Sequence, residues 1–283
     1  MVKRLLAVAL LATAPAWAAP QSVDDVVKAA PKSDWETLDP ANTLYMDLPG
    51  GRVIIALAPG FAPQTSANIR KLAHEHYFDG KGAVIRVQDN YVVQWARDPE
   101  PDGGKGWAEF DRAAAASFKP LPDADGYAPK AGFDAGFPVG SDGKREWLAH
   151  CYGTVGVGRN MKPDTGDGSE LYAVIGPARP LDRNITVVGR VVQGMELLSS
   201  LPRGGETMGF YGKGQKHAPI IAFHLASEVP AAQRTPLERI RTDSPSFATI
   251  IELKRNPASP FFITKAGHAD ICNIPVPVRP LKP

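Results

Sequence analysis

Arg86, Tyr91 and Gln94 place a guanidinium, an aromatic ring and a carboxamide close together along the chain. Arginine keeps its charge at any physiological pH and presents a planar fork of N–H donors. A carboxamide both donates and accepts. Such a set can hold the polar group of a ligand while an aromatic ring takes its apolar part. Taken alone, Arg86 reads first as a strand arginine on a solvated face. Other constellations offer less. His74-Glu75-His76 resembles a metal pair, but on a helix residues i and i+2 face different directions. No third ligand is evident, so no metal is expected. Asp167-Gly168-Ser169-Glu170-Leu171 lacks the Gly-x-Ser-x-Gly elbow of a serine nucleophile. Gly153, Gly156 and Gly158 do not fit the dinucleotide fingerprint, and no cofactor is expected. Cys151 and Cys272 are the only 2 cysteines.

The elements that position these residues are short. Of 283 residues, Gly 27 and Pro 27 make up about a fifth, which favours turns and strands over long helices. The net charge of +2 comes without a basic block and gives no case for nucleic acid. No apolar run reaches the roughly 20 residues that span a bilayer. Lys3 and Arg4, the apolar stretch from Leu5 to Ala12, and Ala16-Trp17-Ala18 have the outline of a secretory signal over residues 1–18. Cleavage is expected between Ala18 and Ala19, with the bacterial periplasm as destination. Without Lys3 and Arg4, 30 basic residues balance 30 acidic ones.

Residues 19–42 read as a polar lead-in with a short helix over Gln21 to Ala30. Leu44–Leu48 and Arg52–Leu57 flank Pro49-Gly50-Gly51, which predicts a β-hairpin. Pro63 suits a first helical turn, and Ile69, Leu72, Ala73 and Tyr77 form one buried stripe. Ala83–Val87 and Tyr91–Trp95 are the next strand pair and carry Arg86 and Gln94. Residues 97–150 are rich in Asp, Gly, Pro and Ala, yet Trp107, Phe110, Phe118, Phe133 and Phe137 argue for a partly packed insertion. Strands return at Thr154–Gly158, Leu171–Ile175 and Ile185–Val192. A short helix over Met195–Leu201 and a closing strand over Ile220–Leu225 follow. Residues 229–283 read as an extension, with helices near 235–241 and 245–254, a Phe261-Phe262-Ile263 strand and a Pro-rich tail.

Several of these segments, in order, resemble the cyclophilin family of peptidyl-prolyl isomerases. Ala62-Pro63-Gln64-Thr65-Ser66-Ala67-Asn68 is similar to the family's first helix, with its Pro-x-Thr-x-x-Asn pattern. Arg86-Val87-Gln88-Asp89-Asn90-Tyr91-Val92-Val93-Gln94 is similar to its Arg-Val-x-x-x-Phe-x-x-Gln. Gly153 to Arg159 resembles Gly-x-x-x-Met-Ala-Asn, with Gly158 and Arg159 in place of Ala-Asn. Gly168-Ser169-Glu170-Leu171-Tyr172 resembles Gly-Ser-Gln-Phe-Phe. Leu181-Asp182, Val188-Gly189-Arg190-Val191 and Gly194-Met195 track later family segments. Pro180 and Ile185 stand where the family has Trp and His.

The resemblance implies a mainly β fold: a closed eight-stranded antiparallel barrel capped by two helices, spanning 43–228. The insertion, about 97–150, interrupts it, and the extension 229–283 packs on it. It implies isomerisation of X-Pro bonds in proline-containing, unfolded or partly folded polypeptides, with Arg86 and Gln94 catalytic. Tyr91, Val92, Gly158, Arg159, Glu170, Tyr172 and Leu181 then bind substrate. Tyr172 reads equally as a barrel core residue. A monomer is expected. A rival reading is a module that binds or chaperones Pro-containing segments with little turnover, favoured by Glu170, Pro180 and Ile185. In an exported chain with an even cysteine count, Cys151 and Cys272 are expected to pair; two buried thiols are the alternative.

Overall fold

The computed structural model describes residues 21–97 and 105–281. The expected signal segment, residues 1–18, lies outside the described residues. Helix α1 (Val23–Ala29) starts from a capping box, in which Ser22 and Asp25 satisfy each other's backbone amides. Strand β1 (Trp35–Thr37) follows, then the hairpin of β2 (Thr43–Leu48) and β3 (Gly51–Leu57). Helix α2 (Pro63–His74) leads to β4 (Gly82–Gln88) and β5 (Val92–Arg97). The insertion holds β6 (Arg112–Ala113), β7 (Lys119–Pro120), β8 (Lys130–Asp134), β9 (Phe137–Ser141) and β10 (Arg145–Leu148). Next come β11 (Thr154–Val157), β12 (Glu170–Val174), β13 (Val187–Gln193), α3 (Met195–Ser199), β14 (Pro219–Ile220) and β15 (Ala222–Leu225). The extension adds β16 (Leu237–Ile240), α4 (Pro245–Arg255) and β17 (Val278–Pro280).

Nine of these strands form one antiparallel sheet in the order β14-β4-β5-β12-β11-β13-β3-β2-β15. Its two edges, β14 and β15, are consecutive on the chain and separated by Ile221 alone, so the sheet nearly closes into a barrel. The count is nine rather than eight because Ile221, whose amide donates to the Asp47 carbonyl at 2.8 Å, divides the closing strand. Alternate residues along each strand face the barrel interior. Leu44, Met46, Val53, Ile55, Trp95 and Phe223 fill the barrel with α2's Ile69. The hairpin's other face is also apolar, since Tyr45, Ile54 and Ala56 are covered by Leu38, Val229 and Leu237.

Segments distant in sequence meet in a second core. Val26 and Trp35 of the lead-in, Phe133 and Ala149 of the insertion, and Ile240 and Phe247 of the extension pack together. The insertion is a sheet of order β6-β10-β9-β8-β7, and β1, β16 and β17 form another. The insertion also grips the barrel. The Glu109 carboxylate accepts the amides of Gln64 and Thr65 at 2.9 Å each, serving the start of α2, where Ala62 has no capping side chain. Arg112 lies over the Phe61 ring, 3.6 Å from its centroid, and donates to the Gly60 carbonyl.

Two expectations for the extension are corrected. The region near 235–241 is not helical: Leu237–Ile240 is the central strand of its sheet. There the charged pair Glu238 and Arg239 meets Arg279 and Glu36 directly across, each at 2.6 Å. Phe261-Phe262-Ile263 is not a strand but an exposed turn region with no strand partner among the described residues.

Candidate active site

A β-bulge aims Arg86. Between β4 and β5, Val84 pairs with Trp95 and Arg86 with Gln94, so Ile85 is the extra residue. Val84 and Val87 thus both reach the interior while Arg86 turns outward. The neighbouring strands continue the row: Gln94 is opposite Tyr172, and Tyr172 is opposite Gly156. Arg86, Gln94 and Tyr172 therefore stand side by side across three strands on the barrel's outer face.

Arg86 is largely buried and held on several sides. Nε donates to the Met208 carbonyl at 2.6 Å and one terminal nitrogen to the Gln94 amide oxygen at 3.0 Å. The other terminal nitrogen donates to the Gln88 amide oxygen. The guanidinium lies over the rings of Tyr91 and Phe210, 5.4 and 5.2 Å from their centroids. Burial lowers its pKa, while Tyr91 and Glu170 act in the opposite direction; an arginine so placed stays charged. Three of its five N–H groups serve these protein acceptors, which leaves two. With its oxygen occupied by Arg86, Gln94 has its NH2 to offer.

Beside this row lies an apolar cluster of Val92, Tyr172, Val174 and Ala178, flanked by Tyr91, Leu181 and Ile185. It brings together four of the residues expected to bind substrate, namely Tyr91, Val92, Tyr172 and Leu181. Tyr172 faces outward into this cluster, while its strand neighbours Leu171 and Ala173 point into the barrel. Gly156 makes room for it: a Cβ there would sit 2.2 Å from the Tyr172 hydroxyl. Gly158 does the same for Glu170, whose Cδ would be 2.4 Å from a Cβ. Arg159 is committed elsewhere, donating to the Asn184 carbonyl at 3.1 and 2.8 Å and to the Asn160 carbonyl at 2.7 Å.

Residues 43–221 match the family described as cyclophilin type peptidyl-prolyl cis-trans isomerase/CLD. The chain belongs to this family. Among cyclophilin-type relatives, proteins described as probable peptidyl-prolyl cis-trans isomerases from Brucella suis and Brucella melitensis are each 28% identical over 169 residues. Those alignments cover 59% of this chain and 75% of theirs. The crystal structure of cyclophilin AquaCyp293 from Hirschia baltica has a TM-score of 0.71 at 23% identity, covering 92% of this chain and 98% of that one. The shared fold thus extends past the barrel into the flanking segments.

Several cyclophilin site neighbours were not foreseen from sequence. Met208 and Phe210 come from a Gly-rich loop that folds over Arg86, and no sequence pattern marks them. Ile185, which stands where the family has His, packs against the apolar cluster. His150, at the end of the insertion, reaches the Tyr172 hydroxyl; a lone histidine before a barrel strand carried no signal.

Proposed function

We propose that this cyclophilin rotates X-Pro bonds in exported, unfolded or partly folded polypeptides, with Arg86 as donor to the prolyl nitrogen. An X-Pro amide resists rotation by about 18–20 kcal/mol because the nitrogen lone pair is shared with the carbonyl. In the twisted transition state that sharing is lost and the nitrogen becomes basic. A fixed donor aimed at it stabilises the transition state more than the planar ground state. The two remaining N–H groups of Arg86 supply that donor. The Gln94 NH2 holds the substrate carbonyl, and the cluster around Tyr91, Val92, Tyr172 and Leu181 takes the proline ring. The observation that carries this reading is the shared outer row of Arg86, Gln94 and Tyr172 with the apolar cluster beside it.

A protease-coupled isomerisation assay on the purified mature protein tests it. Acceleration over the uncatalysed exchange, which takes tens to hundreds of seconds, is the expected result. Binding of a Pro-peptide with no acceleration would instead support the binding-module reading. One observation favours that reading: Arg86 is already engaged by three protein acceptors.

Export is supported by the charged, apolar and Ala-x-Ala succession at the N-terminus and agrees with the disulfide between Cys151 and Cys272. No helix among the described residues is long and apolar enough to cross a membrane. Protein from the native host should begin at Ala19; an intact Met1 in a cytoplasmic fraction would remove this part of the proposal.

A further inference from the structure

His74 and His76 part company at the end of α2. His74 pairs with Glu228, its Nδ1 2.8 Å from Oε1. His76 lies beyond the helix in the left-handed region, with φ 54°. Its amide bonds to the Ala73 carbonyl and the Tyr77 amide to the Leu72 carbonyl, at 3.1 and 3.0 Å. This is a helix-ending motif whose left-handed position is usually glycine or asparagine. Here it swings an imidazole toward Asp79 and His224. The pair His74 and His76 is therefore not the ligand set: His76 is joined instead by Asp79 and by His224, on a strand 148 residues downstream of His76.

One ligand atom from each of His76, Asp79 and His224 lies within 4.8 Å of the others. His76 Nδ1 is 2.9 Å and His224 Nε2 is 3.7 Å from the same Asp79 oxygen, Oδ2. A tetrahedral ion with bonds of about 2.1 Å sets its ligand atoms about 3.4 Å apart, between those two distances. The other oxygen of Asp79 accepts the Phe223 amide at 2.7 Å. That bond orients the carboxylate as an outer-shell partner would. Both histidines line a cavity of about 410 Å³ with Asp47, Arg52 and Glu228, which provides room for water at the remaining coordination positions.

We propose that His76, Asp79 and His224 bind a first-row divalent transition ion. Two imidazoles and one carboxylate suit Zn²⁺, Ni²⁺ or Cu²⁺, whereas Ca²⁺ and Mg²⁺ favour oxygen ligands throughout. The site straddles the barrel's closing seam. His76 and Asp79 belong to the turn between α2 and β4, and His224 lies on β15. The Gly80 amide, next to Asp79, already bonds to the Ile220 carbonyl at 3.1 Å. A shared ion fastens the closing strand to that turn, and an ion that binds only the folded chain raises its melting temperature by mass action.

The test uses untagged mature protein, stripped of metal and titrated with ZnCl2 alone. Calorimetry and elemental analysis should show a single tightly bound ion per chain, and the melting temperature should rise and fall back on adding a chelator. His76→Asn retains a residue that tolerates the left-handed conformation, and His224→Gln retains a polar group. Each should weaken Zn²⁺ binding by roughly tenfold or more. Their melting temperatures without metal report whether they remain folded. His74→Gln should bind Zn²⁺ like the wild type. The proposal is overturned if the wild type takes up no Zn²⁺ or if folded His76→Asn and His224→Gln bind it undiminished. It is equally overturned if His74→Gln alone abolishes binding.

Discussion

The hydroxyl of Tyr172 lies 2.9 Å from Nε2 of His150, and both side chains are buried. Nδ1 of the same ring is 3.0 Å from Asp182 Oδ1, which also accepts the His150 backbone amide at 2.9 Å. A carboxylate only accepts, so Nδ1 carries the proton and Nε2 receives the bond donated by Tyr172. Burial pushes the Tyr172 phenol well above its ordinary pKa, which keeps that donor in place. Behind Asp182 stands Arg179, whose Nε donates to its other oxygen at 2.6 Å and whose two terminal nitrogens each meet the Asp125 carboxylate at 2.9 Å. The wall of the proposed proline pocket is thus tied through four side chains to a loop of the insertion.

Tyr172→Phe keeps the ring and removes the donor. His150 Nε2 would then be a buried acceptor without a partner, at a cost of about 1–3 kcal/mol. Urea unfolding should show a loss in that range, with isomerisation largely retained because the apolar wall is intact. A variant as stable as the wild type would mean that the chain of bonds contributes nothing.

Arg86→Ala should leave the barrel folded and cut kcat/KM by roughly 10²–10³-fold, the usual effect of deleting one preorganised donor. Arg86→Lys keeps the charge but cannot serve the Met208, Gln94 and Gln88 acceptors together, so it should recover little. Circular dichroism checks the fold and the protease-coupled assay the rate. Equal rates for wild type and Arg86→Ala would take the donor role away from Arg86.

What was legible in sequence follows from what is local. The hairpin around Gly50-Gly51 and the alternation of Leu44, Met46 and Leu48 needed no distant information. The helix beginning at Pro63 and the succession of strand segments along the chain likewise follow from pattern and resemblance. The bulge at Ile85 did not, because nothing in Val84-Ile85-Arg86-Val87 says which residue is the extra one; pairing with Trp95 and Gln94 decides it. Leu237-Glu238-Arg239-Ile240 has apolar residues at i and i+3, which fits a helix as well as a strand. Its partners are β1, some 200 residues earlier, and the tail strand β17. Phe261-Phe262-Ile263 has strand-like composition but pairs with no strand among the described residues. Tyr172 could be a core or a pocket residue until its outward register was known.

Acid should loosen the insertion from the extension first. Burial alone would raise the Asp123 pKa, but hydrogen bonds from Arg255 and the Ala269 amide, together with the charges of Arg255 and His268, hold it below the usual carboxylate range. Asp125 is held low in the same way by Arg179 against its own burial. A carboxylate whose folded pKa is depressed adds stability that is complete above its unfolded pKa, about 4, and is lost as pH falls through the folded value. Melting temperature should therefore be flat from neutrality to about pH 5 and fall steeply below about pH 4. Asp123→Asn should be less stable at neutrality and show a shallower acid slope. An unchanged slope would show that the Asp123–Arg255 link is not coupled to folding.

The bond between Cys151 and Cys272 closes a loop with a sequence separation of 121. Cys151 follows the insertion and immediately precedes the turn into β11, while Cys272 lies in the tail segment that packs into the second core. The link pins that tail to the barrel's flank, with the two Cα atoms 4.9 Å apart. Chain-entropy arguments put the stabilisation of so long a loop at about 5 kcal/mol, as an upper value. Intact mass under non-reducing conditions should be short by two hydrogens, and reduction should lower the melting temperature. Hydrogen exchange localises the effect. On reduction, amides of α4 and β16 should exchange faster, while those of β5 and β12 keep their protection, because the barrel is closed by its own strand pairing rather than by the bond. Two freely alkylatable thiols in protein from an oxidising compartment would refute the pairing. Uniform loss of protection across the barrel would instead mean that the second core and the barrel unfold as one unit.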